Sequence, residues 1–155
     1  MKKLIYLLVI TIIFAACASK KDYIVTGSIE GGVEGGIVYL SFVEKGSFVN
    51  IDSSVIKNGV FTFKGRQDTV VNCYVRSKEK VGNTNRKLYG DFFLENGEIN
   101  IIITTKGSTV SGTPNNDAYQ AIRNEMYELQ KNLASVPKEE QMKEFDKIFT
   151  GVMKN

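Results

Sequence analysis

Two Asn-Gly dipeptides, each set between runs of alternating apolar residues, constrain the fold of this chain more than any other feature. They are Asn58-Gly59 and Asn96-Gly97. A type I′ turn requires positive φ at both central residues, and Asn followed by Gly tolerates that conformation. We therefore expect each dipeptide to form the tip of a β-hairpin.

The segment from Tyr23 to about Ser111 reads throughout as short β-strands of period two, separated by Gly and Asn. It has no helical stretch long enough to connect parallel strands, so we expect antiparallel pairing. The predicted fold class is mainly β, an antiparallel β-sandwich or open barrel followed by two C-terminal α-helices. The predicted inward positions are Val25, Ile29, Val38, Leu40, Phe61, Phe63, Val71, Cys73, Val75, Ile101 and Ile103.

The pattern becomes helical at Thr113-Pro114. The first predicted helix carries the apolar stripe Ala118, Ile122, Met126, Leu129 and Leu133, and we expect it to pack on the β domain. The second starts near Pro137, with the stripe Met142, Phe145, Phe149 and Val152. Two amphipathic helices of this length need a surface to cover them, so we expect the second to reach an envelope protein partner or a second copy of the chain.

The N-terminus has the pattern of a bacterial lipoprotein signal. Lys2 and Lys3 precede an apolar run over residues 4–16, which ends in Ala15-Ala16 before Cys17. A membrane-spanning helix needs about 20 apolar residues, so this run is too short to span. We expect cleavage before Cys17 and membrane anchoring through lipid on its thiol. The alternative is an ordinary secretory signal that happens to precede a cysteine.

These boundaries divide the chain into a signal peptide at residues 1–16, a lipidated tether at 17–22, a β domain at 23–112 and a helical tail at 113–155. We expect a cell-envelope location at the outer membrane, on the periplasmic face rather than the cell surface. Without the two signal lysines, 18 basic residues face 17 acidic ones, which argues against a nucleic-acid partner.

Several motifs, taken in their order after the signal, resemble a known family. They are Tyr23-x-Val25-x-Gly27-x-Ile29, Val38-Tyr39-Leu40, Ile51-Asp52-Ser53, Asn58-Gly59-x-Phe61-x-Phe63-x-Gly65, Phe93-Leu94-Glu95-Asn96-Gly97 and Val110-x-Gly112-Thr113-x-x-Asn116. Over about residues 22–119 the chain resembles the N-terminal domain of unknown function found in lipid-anchored, thioredoxin-like (AhpC/TSA-type) thiol:disulfide interchange lipoproteins of Gram-negative anaerobes. The resemblance implies a following thioredoxin module with Trp-Cys-x-x-Cys. The sequence has no Trp and no Cys-x-x-Cys, so we expect this chain to lack that module and its chemistry.

The residue inventory also argues against catalysis. The chain has no His, which excludes Ser-His-Asp and Cys-His arrangements and removes a common zinc ligand. Once Cys17 is lipidated, Cys73 is the remaining thiol, and we expect it to be structural because it shares strand parity with core positions. We expect no catalytic residues, no cofactor and no metal.

Five other groups have both a functional and a structural interpretation, and in each case we favour the structural one. Asp52 with Ser53 and Ser54 is expected to make local turn hydrogen bonds. Asp91, Glu95 and Glu98 could suggest the paired acids of a glycosidase, but Glu95 and Glu98 are expected to be solvent-facing flanks of an Asn-Gly turn. The other three groups are the glycine-rich residues 31–36, expected to be a turn; the cations Lys78, Lys80, Arg86 and Lys87, expected to be a solvated loop; and the aromatic residues Tyr39, Tyr74, Tyr89, Phe92 and Phe93, expected to fill the core rather than bind sugar.

Two functions remain. The chain is either a non-catalytic envelope lipoprotein domain that binds or docks a partner, which we favour, or the anchoring half or remnant of a thiol:disulfide interchange lipoprotein that acts with a separate thioredoxin-like protein.

Overall fold

Two four-stranded β-sheets and one helix make up the part of the chain that the computed structural model describes, which is residues 22–78, 80, 87–134, 137, 140, 142 and 143. Sheet A has the order β4-β1-β7-β8 and sheet B the order β3-β2-β5-β6. The elements are β1 (Tyr23–Ile29), β2 (Ile37–Glu44), β3 (Ser47–Val55), β4 (Phe61–Gly65), β5 (Val71–Ser77), β6 (Tyr89–Leu94), β7 (Gly97–Thr104), β8 (Gly107–Ser111) and α1 (Pro114–Ala134).

The two sheets enclose one hydrophobic core between their inner faces. Phe61 and Ile101 from sheet A belong to the same buried cluster as Leu40, Cys73 and Phe92 from sheet B. All the predicted inward positions are buried except Val71, which is partly buried and packs against the core. The period-two pattern therefore identified the core correctly, and the separate sheets make the fold a sandwich and not a barrel.

Sheet A is mixed, which corrects the expectation of antiparallel pairing throughout. β1 pairs with β7 in parallel from Tyr23–Gly97 to Ile29–Ile103, while β4 and β8 pair antiparallel at its edges. Sheet B is antiparallel at every pair. The parallel pair needs no crossover helix, because between β1 and β7 the chain runs through β2 and β3 of sheet B, β4 of sheet A, and β5 and β6 of sheet B.

The Asn58-Gly59 turn has the predicted conformation, but it does not join two strands of one sheet. Asn58 has φ 54° and Gly59 has φ 75°, and Lys57 and Val60 exchange backbone hydrogen bonds of 2.8 and 3.1 Å around them. The preceding strand, β3, lies in sheet B and the following strand, β4, lies in sheet A. The turn is therefore a corner between the sheets.

The hairpin predicted at Asn96-Gly97 is wrong. β6 belongs to sheet B and β7 to sheet A, so this dipeptide also lies where the chain changes sheet. The amide of Asn96 instead binds the backbone of Gln67, accepting from its N–H at 2.9 Å and donating to its carbonyl oxygen at 2.5 Å. A tight hairpin occurs at Lys45-Gly46, where φ values of 49° and 77° allow β2 to turn into β3.

The helix packs through its first turns, and with a different face from the one predicted. Asn116 is buried, and Tyr119 and Arg123 are half-buried against β6 and β8. Ile122 and Met126 of the predicted stripe are 59% and 60% exposed. The polar face is the one that docks because β6 and β8 are edge strands, whose unpaired backbone groups require hydrogen-bond partners.

The second predicted helix falls mostly on residues outside the described part of the chain. Within the described part, α1 is the one helix with both ends described, and residues 140, 142 and 143 of the second predicted helix are also helical. No helix in the described part has the length and apolarity needed to cross a membrane.

Candidate functional site

The outer face of sheet B carries two neighbouring rows of polar and aromatic residues. Because successive residues of a strand point to opposite faces, the residues between the core positions of β5 lie on this face. Strand pairing aligns Asn50, Ser41, Tyr74 and Asp91 in one row, and Ser53, Tyr39, Arg76 and Tyr89 in the next.

Arg76 is held in place near the middle of this face by neutral partners. Its Nη2 donates a hydrogen bond of 2.8 Å to Oδ1 of Asn50, and its Nε donates one of 3.3 Å to Oγ of Ser41. Its guanidinium carbon lies 4.1 Å from the ring centroid of Phe48, which is a cation–π contact. The Ser41 hydroxyl also donates to Asn50 at 2.9 Å. This network positions the positive charge before any ligand arrives.

Three aromatic rings in mutual contact line the same cleft as this arginine. The Phe48 and Tyr74 centroids are 5.2 Å apart with planes at 81°, and the Tyr74 and Tyr89 centroids are 6.5 Å apart with planes at 52°. Phe48 is 46% exposed and Tyr89 is 61% exposed. We call Phe48, Tyr74, Arg76 and Tyr89 the aromatic surface. Exposed aromatic and arginine residues clustered in this way are typical of binding sites.

A cleft of about 370 Å³ opens at the aromatic surface and is also lined by Lys87. Hydrogen bonds fix the segment that carries this lysine. The Ser77 N–H donates to the Leu88 carbonyl oxygen at 3.0 Å, and the Leu88 N–H donates to the Ser77 hydroxyl at 3.1 Å. Residues 87–89 therefore stay beside Arg76 at the mouth of the cleft.

A second polar cluster lies beside the aromatic surface, where α1 meets the sheets. The Tyr119 hydroxyl donates a short hydrogen bond to the Asp91 carboxylate, and Arg123 lies 3.6 Å from the other oxygen of that carboxylate. Arg123 also donates to the Ser108 hydroxyl at 3.3 Å. The hydrogen bond to Asp91, together with burial, raises the pKa of Tyr119. These mutual partners indicate a structural role in docking the helix.

The predicted lipidation site, Cys17, lies outside the described residues, so its acylation stays a prediction. Of the other candidate groups, Asp52 with its neighbouring serines has the local role that we favoured, whereas Glu95 was expected to face solvent and is half-buried instead. Asp52 accepts a local hydrogen bond of 2.7 Å from the Ser53 N–H. Glu95 binds Asn115 at the start of α1, accepting from its backbone N–H at 3.0 Å, whereas Glu98 is exposed. Asp91, Glu95 and Glu98 therefore have separate environments and do not form paired acids.

Glycine-rich residues 31–36 form the predicted turn. Gly31 and Gly35 have φ values of 69° and 79°, and strand β2 follows directly. Among the loop cations, Lys78, Lys80 and Lys87 are exposed, and Arg86 is not described.

The expectation that the aromatic group fills the core is confirmed for Phe92, which is fully buried, and is wrong for the other four residues. Tyr74 and Tyr89 belong to the aromatic surface, Tyr39 is half-buried on the same outer face, and Phe93 packs against Tyr119 of the helix.

Phe48 and Arg76 were not among the site residues predicted from the sequence. Phe48 is two residues from Asn50, and Arg76 is two residues from Tyr74, so alternation along the strand puts each pair on the same face. That face is opposite to the core positions, and this spacing was the sequence signal that could have identified them.

Cys73 is in the core, as predicted. Its side chain is fully buried, and burial raises the pKa of its thiol from 9.0 to about 11. A thiol with this pKa is protonated near neutral pH and is a poor nucleophile. Across the described ranges, no group of three or more Cys, Asp or Glu side chains is arranged to hold a metal ion.

Comparison with known proteins identifies a family for this chain. A search of curated proteins and a search of solved structures found no match to the chain. Residues 23–119, from β1 to the second turn of α1, match the family described as domain of unknown function DUF4369. This match covers more than half of the 155 residues. The chain belongs to the DUF4369 family.

Proposed function

We propose that the chain is a non-catalytic docking domain of a bacterial envelope lipoprotein, and that the aromatic surface is where a partner protein binds. The observation that carries this proposal is the contiguous cluster of Phe48, Tyr74 and Tyr89 beside a hydrogen-bonded Arg76, with Phe48 and Tyr89 exposed. Tyrosine and arginine dominate binding energies at protein interfaces, because they bury large areas and add directed hydrogen bonds.

The anchoring part of the proposal rests on the signal pattern that ends at Cys17. Lipid on this residue would hold the domain at the periplasmic face of the outer membrane, and the tether at residues 17–22 would leave sheet B accessible. Intact mass measurement of the membrane fraction tests this part. We expect loss of residues 1–16 and the added mass of lipid, whereas a soluble product with an unmodified Cys17 thiol would contradict it.

Site-specific photo-crosslinking tests the docking part. We would place p-benzoylphenylalanine at position 89, on the aromatic surface, and at position 102 as a matched control. Ile102 is 54% exposed and lies in sheet A, so it offers a similar exposure away from the proposed site. We expect a discrete adduct in cells from position 89 that position 102 does not give. The same adducts from both positions, or none from position 89, would overturn docking at this face.

A second candidate function follows from the resemblance of the motifs to the domain that precedes thioredoxin modules. Here the chain would be the anchoring half or remnant of a thiol:disulfide interchange lipoprotein, and the docked partner would be a separate thioredoxin-like protein. The crosslinked partner distinguishes the two, since only the second function requires a Trp-Cys-x-x-Cys sequence in it.

The exposed stripe of α1 offers a further place for contact. Ile122 and Met126 contribute apolar surface that the β domain leaves uncovered. An envelope partner or self-association at the helical tail therefore remains a proposal, and the crosslinking described above can be repeated from position 126.

A further inference from the structure

The described residues that line the cleft at the aromatic surface carry positive charge only. Arg76 and Lys87 line it, and no acidic side chain lines it within the described part of the chain. Among the residues that the structure describes, no carboxylate forms an ion pair with either cation. The nearby carboxylate of Asp91 is engaged by Tyr119 and Arg123. The cleft therefore complements a negative charge supplied from outside.

The arginine is prepared to bind such a charge. Nε and Nη2 are occupied by the neutral oxygens of Ser41 and Asn50, and the Phe48 ring supports the guanidinium. Neutral acceptors orient the group without cancelling its charge, so a ligand carboxylate gains a charge-assisted hydrogen bond to a side chain that is already ordered.

The orientations of the rings favour a peptide over a sugar chain. A glycan platform presents ring faces in a common plane, but the Phe48 and Tyr74 planes are nearly perpendicular at 81°, and Tyr74 and Tyr89 are inclined at 52°. One face of Phe48 is also covered by Arg76. The surface is therefore uneven and presents both edges and faces of rings, against which separate side chains of a peptide can pack.

We propose that the aromatic surface recognises an acidic segment of a partner protein, with a carboxylate on Arg76 and Lys87 and neighbouring apolar side chains against the rings. This inference rests on the proposed docking function and specifies the chemistry of its ligand.

The test uses the acylated full chain in detergent micelles and fluorescein-labelled dodecapeptides, followed by fluorescence anisotropy. One peptide set alternates Asp or Glu with Leu or Tyr, and the matched set replaces every acid by its amide. We expect the acidic set to bind at least about tenfold more tightly and its binding to weaken as salt increases.

Arg76→Gln and Lys87→Gln should each weaken binding, Arg76→Gln by about tenfold or more. Lys64→Gln, an exposed lysine on sheet A, should change it less than about twofold.

Three results would overturn the inference: equal binding of acidic and amide peptides, an equal effect of Lys64→Gln and Lys87→Gln, or competition by oligogalacturonate as strong as that of the acidic peptide. The last would assign the site to an acidic glycan.

Lys87→Gln keeps the test valid if Arg76→Gln disturbs the Phe48 contact, because Lys87 is exposed at the cleft mouth. If position 89 still crosslinks while acidic peptides fail to bind, the ligand chemistry is wrong and docking stands. Loss of the crosslink as well would overturn docking itself.

Discussion

The side-chain amide of Asn116 pairs with both backbone groups of Phe93. Its Oδ1 accepts a hydrogen bond of 2.8 Å from the Phe93 N–H, and its Nδ2 donates one of 2.7 Å to the Phe93 carbonyl oxygen. Nδ2 also donates to the Thr113 hydroxyl at 2.8 Å. Because β6 is the edge strand of sheet B, Asn116 supplies the hydrogen bonds that another strand would make.

Asn116→Ala should destabilise the domain by about 2–4 kcal/mol, because it removes these hydrogen bonds and leaves buried backbone groups without partners. Asn124→Ala on the exposed side of the same helix should change the free energy of unfolding by less than about 0.5 kcal/mol. Urea denaturation of both variants measures the difference. Equal midpoints would show that the pairing with Phe93 does not secure the helix.

Gly27→Ala should destabilise the domain by about 2–3 kcal/mol, because a Cβ at this position would collide with the Ile101 carbonyl oxygen and the Phe61 ring. Gly27 pairs with Phe61 on one side and with Ile101 on the other, so the variant tests the β4-β1-β7 arrangement directly. Ser28→Ala on the same strand is the control and should have a small effect. A Gly27→Ala variant as stable as the control would contradict the parallel pairing.

The core was predictable from the sequence because alternation alone determines which face of a strand is apolar. Val25, Leu40 and Phe63 are buried as expected, and so is Cys73. Alternation carries no information about which sheet a strand enters. The Asn58-Gly59 turn has its predicted backbone conformation, yet it connects different sheets, and the parallel β1–β7 pair depends on long-range contacts that no local pattern encodes.

The packed face of the helix was not predictable from hydrophobic periodicity, because here a polar face satisfies the edge strands. Gln120 illustrates the point, since its Oε1 accepts a hydrogen bond of 2.9 Å from the Val110 N–H on edge strand β8. The aromatic surface was missed for a related reason. Its members come from β3, β5 and β6, and only the strand pairing brings Tyr89 beside Arg76.

The double variant Ile122→Ser with Met126→Ser should lower the free energy of unfolding by less than about 1 kcal/mol, since both side chains are mostly exposed. Tyr119→Ala, one turn away, should cost about 2 kcal/mol or more, because Tyr119 packs edge-on against Phe93 at 5.3 Å and binds Asp91. Thermal melts of the variants measure both effects. If the double variant lost much more stability than this limit, the side chains of Ile122 and Met126 would have to be covered in the folded protein.

Cys73 should react slowly with a maleimide in the native protein and rapidly in urea, because the thiol is buried and protonated. In the acylated chain it is the remaining thiol, so the labelling reports on it alone. Rapid labelling of the native protein would contradict a structural role.

The same residue should make stability depend on alkaline pH. Its folded-state pKa of about 11 is above the unfolded value of 9.0, so its contribution is fully present below pH 9 and is lost as pH rises toward 11. The stability advantage of the native protein over Cys73→Ala should therefore shrink over that range. Tyr119 has a raised pKa in both proteins, so the comparison cancels its effect. A constant advantage would contradict the shift.

The central claim is that this domain acts by docking a partner at the aromatic surface without thiol chemistry of its own. The most direct measurement is the yield of the crosslinked adduct from position 89 in cells that carry either Arg76→Glu or Cys73→Ala. We predict that Arg76→Glu abolishes the adduct, because it reverses the charge at the centre of the surface, and that Cys73→Ala retains it. Loss of the adduct with Cys73→Ala and its persistence with Arg76→Glu would contradict the account.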